Sequence, residues 1–473
     1  METIKPGTMH PDLMLLMQTD RREICCLVLE DTAPEQLGEL AACGPFYAFA
    51  WEGMVALLFD DTHQASWRET IRDILVRNHL CAGLSGPFAL AASAQGCMQK
   101  AQIALKTGKA VHPGCALYPM DAYFDTALFR AASQVLETWG YLREDYCDAR
   151  LLQMERLDAK EGTQYVDSLH AYLRNGLNLR LAAQSLGIHR NTLDYRIRRI
   201  QTLFDVDFGN KNTCFEWLFA LWVRDHLPDN GPGEEPAADF DLQAAQMAMW
   251  RYLERIKEDE APRSAFSVAL LCIGTEGESD ARRTELLLQL CSEGEGWACA
   301  FDESMICLAV EPQQAQACLQ TCLRVCEAYG RPIVTTQPFS SSRIRWRLEL
   351  CRFALRAFRT PVTPVQDVGS ILFFVTLAQR MSLSPYLCES VLRVMDEDAQ
   401  RGTALSHALY AYLLNFMDLK EAAAQLGIHR NTMEYQVRKI EGLTGETLDE
   451  HNRFFMMCTY RMLALPDVGV WTL

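Results

Sequence analysis

No stretch of this 473-residue sequence is apolar for long enough to cross a bilayer. The longest run, Ile371–Ala378, falls far short of the roughly 20 residues that a spanning helix needs. Nor is an export signal expected: METIKPGTMHPDLMLLMQTD carries one lysine and only a short apolar run. Together these absences lead us to expect a cytoplasmic protein with no membrane partner. Positive charge is also scarce. Lys and Arg number 45 against 61 Asp and Glu, for a net charge of −16. Such a chain does not coat nucleic acid with its whole surface, because nonspecific affinity comes from neutralising phosphates. Any nucleic-acid contact has to be confined to local basic surfaces. The 18 cysteines, with no export signal, are expected to be reduced and buried as small hydrophobes. The remaining composition, 49% hydrophobic and 22% charged, is that of an ordinary globular protein. Its length suits about three or four domains.

What is present is a repeat. Residues 169–203 read LHAYLRNGLNLRLAAQSLGIHRNTLDYRIRRIQTL, and residues 409–443 read LYAYLLNFMDLKEAAAQLGIHRNTMEYQVRKIEGL, without a gap between them. His189 pairs with His429, 240 residues on (429 − 189), and LGIHRNT is identical in both. A period this long is a duplicated domain set and not a solenoid. Within the first copy, Leu179, Ala182, Ala183 and Leu186 recur at the spacing of one helical face. Gly187 then suits a helix end, where a positive φ costs glycine little. A second helix is expected from His189–Arg190, with Leu193, Ile197, Ile200 and Phe204 on its buried side. Thr192, Tyr195, Arg196 and Arg199 fall on the opposite side. Two short helices about a glycine turn, the second with a basic outer face, make a helix-turn-helix. In that geometry the second helix enters the major groove.

The run Leu-Gly-Ile-His-Arg-Asn-Thr-Leu-x-Tyr-Arg-Ile-Arg-Arg-Ile resembles the C-terminal helix-turn-helix of PucR/CdaR-type bacterial transcription regulators. Leu169, Ala171, Tyr172, Leu173 and Asn175 resemble that family's approach helix. The resemblance implies DNA as partner. In copy one, Arg190, Asn191 and Thr192 open the recognition helix, where Asn reads adenine and Arg reads guanine. Tyr195 and Arg196 lie a turn further on, and Arg198 and Arg199 suit phosphates. For Tyr195, packing on the preceding helix is the competing role. The matching residues of copy two are Arg430, Asn431, Thr432, Tyr435, Gln436, Arg438 and Lys439. There Arg196 has become Gln436, and Asp418, Glu421, Glu434 and Glu441 offset Lys420, Arg430, Arg438 and Lys439. Copy two is therefore expected to bind DNA more weakly or to have turned to protein contacts. His189 and His429 read as turn or N-cap residues, because no second ligand sits at a metal-binding spacing.

Ahead of each helix-turn-helix the sequence alternates strands and helices. Glu23–Leu29 reads as a strand, Phe46–Trp51 and Met54–Phe59 as a hairpin, Gln64–Asn78 as a helix, and Cys81–Leu84 as a strand, with a helix over Ala91–Lys106. The second half repeats this order: strand Phe266–Ile273, hairpin Trp297–Phe301 with Met305–Val310, helix Pro312–Tyr329, strand Ile333–Thr336 and helix Ser341–Phe358. This order suggests a ferredoxin-like, nucleotide-cyclase-like α+β domain and resembles the degenerate GGDEF-like domain of CdaR-type regulators. Neither hairpin tip, Trp51-Glu52-Gly53 or Asp302-Glu303-Ser304, keeps the cyclase signature. Glu30, Asp31 and Glu52 could in principle gather around a metal, but the corresponding strand of the second half ends Cys272-Ile273-Gly274 and offers no carboxylate there, and acids at turns and strand ends are usually solvated, so no metal site is expected. Cys318, Cys322 and Cys326 recur along one helix and read as core, since three ligands on one straight helix chelate poorly. No cofactor, metal or catalytic residue is expected.

The fold expected is α+β, a tandem duplication of a ferredoxin-like sheet domain, a helical connector and an all-α helix-turn-helix. The boundaries are a lead at 1–20, sheet domain 21–118, connector 119–164, helix-turn-helix 165–226 and linker 227–240. Then come a helix with sheet domain at 241–366, connector 367–403 and helix-turn-helix 404–465. The function expected is a sequence-specific DNA-binding transcription regulator and not an enzyme. Its two readers form an intrachain pseudo-dimer, or each protomer of a homodimer contributes one. A regulatory scaffold or ligand sensor that has lost DNA binding is the alternative, with a nucleotide-cyclase-type enzyme behind it. A small-molecule effector of unspecified identity is left open.

Overall fold

The computed structural model describes residues 23–30, 37–40, 46–60, 64–86, 88–89, 94–227, 241–253, 265–293, 298–327, 330–358, 360–445 and 447–465. The lead at 1–20, and all of the linker but Leu227, lie outside them. In chain order the first sheet region runs β1 (Glu23–Leu29), β2 (Phe46–Trp51), β3 (Met54–Asp60), α1 (Gln64–Arg77), β4 (Ala82–Leu84), β5 (Phe88–Ala89), α2 (Ala94–Val111) and β6 (Leu117–Pro119). Helices α3 (Met120–Trp139), α4 (Ala149–Glu161), α5 (Tyr165–Arg174), α6 (Leu179–Ser185), α7 (Arg190–Phe204) and α8 (Lys211–His226) follow. Then come α9 (Leu242–Leu253), β7 (Ser267–Gly274), α10 (Asp280–Glu293), β8 (Ala298–Phe301), β9 (Met305–Val310) and α11 (Ala315–Glu327). The second sheet region ends with β10 (Ile333–Thr335), β11 (Phe339–Ser340), α12 (Ile344–Ala357) and β12 (Val362–Pro364). The chain closes on α13 (Gly369–Ala378), α14 (Glu389–Arg401), α15 (Leu405–Leu414), α16 (Leu419–Leu426), α17 (Arg430–Thr444) and α18 (Glu450–Leu463).

The two sheets have the same order. The first runs β2-β3-β1-β4-β6 with β5 on β1, and the second β8-β9-β7-β10-β12 with β11 on β7. All pairs are antiparallel except β4/β6 and β10/β12. The three-residue strands β6 and β12 and the two-residue β5 and β11 carry too few positions for a hydrophobic period. Helix α10 was also not anticipated. Strand β1 shows how such a sheet is covered on both faces. Cys26 and Val28 face Cys97, Met98, Ala101 and Leu105 of α2, whereas Cys25, Leu27 and Leu29 face Ile71, Ile74 and Leu75 of α1. Gly83 lets α2 approach β4 directly, since a Cβ there would sit 1.9 Å from the Ala101 carbonyl oxygen. In the second sheet region Cys318, Cys322 and Cys326 are buried against Ala269, Leu271 and Ile273, in the core role expected of them.

The chain condenses into two units that are not its two halves. The first comprises Met1–Gln134, Met381–Leu413 and Asp418–Tyr460; the second comprises Val135–Arg380, Leu414–Met417 and Arg461–Leu473. Within the first unit, the first sheet region keeps company with the second helix-turn-helix. Lys100 of α2 donates to the Leu387 carbonyl (3.0 Å) and pairs with Glu389 of α14 (3.2 Å). The rings of Phe124 and Phe455 lie 4.9 Å apart. Within the second unit, the first helix-turn-helix keeps company with the second sheet region. Arg343, at the start of α12, forms an ion pair with the fully buried Asp145 and donates to the Gly140 carbonyl (3.0 Å). Glu216 of α8 accepts from the backbone and hydroxyl of Ser370 on α13, both at 2.7 Å. Such buried charges persist because each is paired and hydrogen-bonded. No helix among the described residues is long and apolar enough to cross a membrane.

Candidate nucleic-acid interface

Each helix-turn-helix is assembled by capping residues that sit at matching positions. Asp158, on the last turn of α4, accepts from Thr163 Oγ1 (2.5 Å) and from the backbone N–H of Tyr165 and Val166 (both 2.9 Å). Those N–H groups open α5 and would otherwise have no partner. Asp398, 240 residues later (398 − 158), does the same for α15 through Thr403, Leu405 and Ser406. Burial opposes the ionised form of Asp398, but hydrogen bonds from Ser406 and Thr403 outweigh it and lower its pKa. Asn178 caps α6 and Asp418 caps α16, each accepting from two backbone N–H groups. Gly187 and Gly427 turn the chain at φ +65° and +66°, a conformation that only glycine enters cheaply. His189 and His429 then cap α7 and α17, their Nδ1 atoms accepting from Asn191 N and Asn431 N at 3.2 Å. The histidines are thus occupied as caps, as the sequence suggested.

The caps fix which face of the second helix is free. Leu193, Ile197, Ile200 and Phe204 of α7 are buried, as are Met433, Val437, Ile440 and Thr444 of α17. On the outer side Arg190, Asn191, Thr192, Arg198 and Arg199 are exposed, and Tyr195 is 62% exposed. Tyr195 therefore is not packed on the preceding helix. Arg430, Asn431, Thr432 and Arg438 are exposed in the same way, with Tyr435 at 68%. Arg196 is half-buried, turned back to donate to Ser168 Oγ on α5 (3.3 Å). Its counterpart Gln436 is likewise half-buried, with Oε1 enclosed and unpartnered. Lys439 is half-buried where Arg199 is exposed.

Charge separates the two surfaces. Helix α7 has four arginines against Asp194, leaving +3; α17 has Arg430, Arg438 and Lys439 against Glu434 and Glu441, leaving +1. On α7 only Arg198 is engaged by a carboxylate among the described residues, with Asp194 at 3.1 Å. On α17 every cation is engaged. Glu434 takes both Arg438 (2.6 Å) and Arg430 (3.9 Å), and Glu397 of α14 takes Lys439 (3.7 Å). The Glu434 contacts follow from i, i+4 spacing, but the Glu397 contact is visible only once α14 packs on α17.

Sequence reasoning missed the residues that hold α7 and α17 from behind. Arg150 donates to the carbonyl of Asp205 (2.8 Å), just past the end of α7, while pairing with Asp148 (2.7 Å). Arg393 donates to the Thr444 carbonyl (3.4 Å) at the end of α17. A cation there complements the helix dipole. Asp158 and Asp398 were within reach of sequence reasoning, being acids 240 residues apart just before equivalent glycines. Among the described residues no group of His, Cys, Asp and Glu is arranged to hold a metal.

Residues 165–223 and 405–457 each match the PucR C-terminal helix-turn-helix domain. The proline-responsive transcriptional activator PutR of Bacillus subtilis is 29% identical over 103 residues, 22% of this chain and 25% of PutR. The DNA-binding transcriptional activator AdeR of the same organism is 32% identical over 74 residues, 16% of this chain and 18% of AdeR. The chain thus spans a quarter or less of the length of these relatives. A crystal structure of a regulator of polyketide synthase expression from Bifidobacterium adolescentis shares 15% identity, with a TM-score of 0.23, over 49% of this chain and 95% of that one. Both matched segments are therefore PucR-type helix-turn-helix domains, and the likeness extends over those two segments of the chain.

Proposed function

We propose that this protein is a DNA-binding transcription regulator that reads duplex DNA through α7 and α17, with α7 the stronger reader. The observation that carries this reading is the exposed Arg-Asn-Thr triplet at the start of each recognition helix, aimed away from a fully buried apolar stripe. Base edges are met by the N-terminal residues of such a helix, and the exposed arginines beyond them suit phosphates. The roles of PutR and AdeR as transcriptional activators support regulation as the outcome. The net charge of +3 on α7, where only Arg198 among the described residues meets a carboxylate, against +1 on α17, where every cation does, supports unequal affinity.

We further propose that the two readers of one chain serve as a pseudo-dimer on two half-sites. The grouping of the chain supports this, because each helix-turn-helix shares a compact unit with the other half's sheet region. The two sheet regions, with their common strand order, are read as duplicated, degenerate GGDEF-like supports. A gel shift on the gene's own upstream DNA tests the first proposal; no retarded band at low salt, with folded protein, sinks it. Footprinting with a measured stoichiometry tests the second: one chain should protect two half-sites about one helical turn apart. Two chains per site would assign the dimer to separate protomers.

A further inference from the structure

Most described cysteines are buried and chemically quiet, but one pair is not. Cys291 is exposed on the last turn of α10, and Cys299 is half-buried in β8, the edge strand of the second sheet. Their sulfurs lie 3.6 Å apart. A disulfide requires about 2.05 Å, a further approach of about 1.5 Å that side-chain rotation at a helix end can supply. Cys299 is the fixed member: its backbone is in register with Leu308 of β9, and its carbonyl accepts from Gln246 of α9 at 3.5 Å. Cys291, on the exposed helix end, is the one that moves.

We propose that Cys291 and Cys299 are a reversible redox pair, a site at which peroxide oxidises this protein to an internal disulfide. The Cys291 thiolate attacks one oxygen of hydrogen peroxide, the O–O bond breaks, and hydroxide leaves to be protonated to water. Cys291 is now a sulfenic acid. The Cys299 sulfur attacks the Cys291 sulfur, the S–S bond forms, the S–O bond breaks, and the departing oxygen leaves as water with the Cys299 proton. Two thiols are oxidised by two electrons and one peroxide is reduced to two waters. A dithiol reverses the bond by exchange. Burial, and next to it the neighbouring Cys291, push the Cys299 thiol well up. That keeps Cys299 protonated and leaves the first step to the accessible Cys291. This inference stands apart from DNA binding and is tested without DNA.

The full reduced chain is treated with hydrogen peroxide, blocked with iodoacetamide and cut without reductant by a glutamate-specific protease. Such a protease cleaves at Glu293 and Glu295, between the two cysteines. The expected product is one linked pair of peptides carrying Cys291 and Cys299, lost on adding dithiothreitol and absent from C291S. In C299S, dimedone should trap Cys291 as the sulfenic acid; the exposed position of Cys291 makes C291S safe for folding. Recovery of both cysteines alkylated, of Cys291 as sulfinic acid with Cys299 alkylated, or of Cys291 joined to any other cysteine overturns the proposal.

Discussion

Arg190 and Arg430 hold the same place on the two reading helices and differ in what surrounds them. Arg190 has no carboxylate within 4 Å among the described residues, whereas Arg430 lies 3.9 Å from Glu434, which also holds Arg438. A contact from such an arginine to a base is worth about 1–3 kcal/mol. Arg190→Ala should therefore weaken binding by about 5- to 150-fold. Arg430 must first give up an exposed ion pair worth about 0.2–1 kcal/mol, and Glu434 remains near the phosphates afterwards. Arg430→Ala should then cost several-fold less than Arg190→Ala. The assay is fluorescence anisotropy of the full chain on a selected DNA fragment, repeated between about 50 and 200 mM salt so that the slope can be read. Equal losses for the two variants at low salt would refute the charge argument. The converse variant sharpens the test. Glu434→Gln frees both arginines, raises α17 from +1 to +2, and should tighten binding and steepen the salt dependence.

Three other outcomes follow from the geometry. Asp158→Ala and Asp398→Ala should each lower stability by about 0.5–2 kcal/mol, as loss of a helix cap does, measured by urea unfolding. Burial lowers the pKa of His170 despite the facing Asp225 carboxylate at 3.6 Å, with Arg174 and Arg224 adding to the lowering. The unfolded chain therefore binds that proton more readily. The stability His170 contributes is complete above about pH 6.5 and is lost as pH falls from there toward the lower folded value. His170→Phe should flatten the change in melting temperature between about pH 7.5 and 5.5; an unchanged pH profile would remove His170 as the cause. Finally, fragments 1–227 and 241–473, produced together, should co-purify in equal amounts, because each compact unit draws on both. Two independently folded, non-associating fragments would contradict this grouping.

The reading helices were legible because their determinants are local. Apolar spacing at Leu193, Ile197 and Ile200, the turn glycine Gly187 and the cap His189 all act within a few residues of one another. The repeated LGIHRNT segment was legible because identical letters recur 240 residues on, and the pairing of Arg438 with Glu434 because i, i+4 neighbours meet on any helix. Strands β6 and β12 were not legible, since three residues gain their structure from the neighbouring strand and not from their own pattern. Nor was the retreat of Arg196 toward Ser168, because it depends on how α5 lies across α7.

By itself, then, the amino-acid order determined that two helix-turn-helix units exist, where their second helices begin, and which apolar side chains those helices bury. Only the tertiary structure decided which sheet region supports which reader, that Glu397 quiets Lys439, and that Cys291 meets Cys299. The physical reason is range. Backbone capping and helical periodicity are settled by residues a few positions apart, whereas buried ion pairs and shared cores join segments hundreds of residues apart. No pattern in the intervening chain records which of two similar partners each segment will choose.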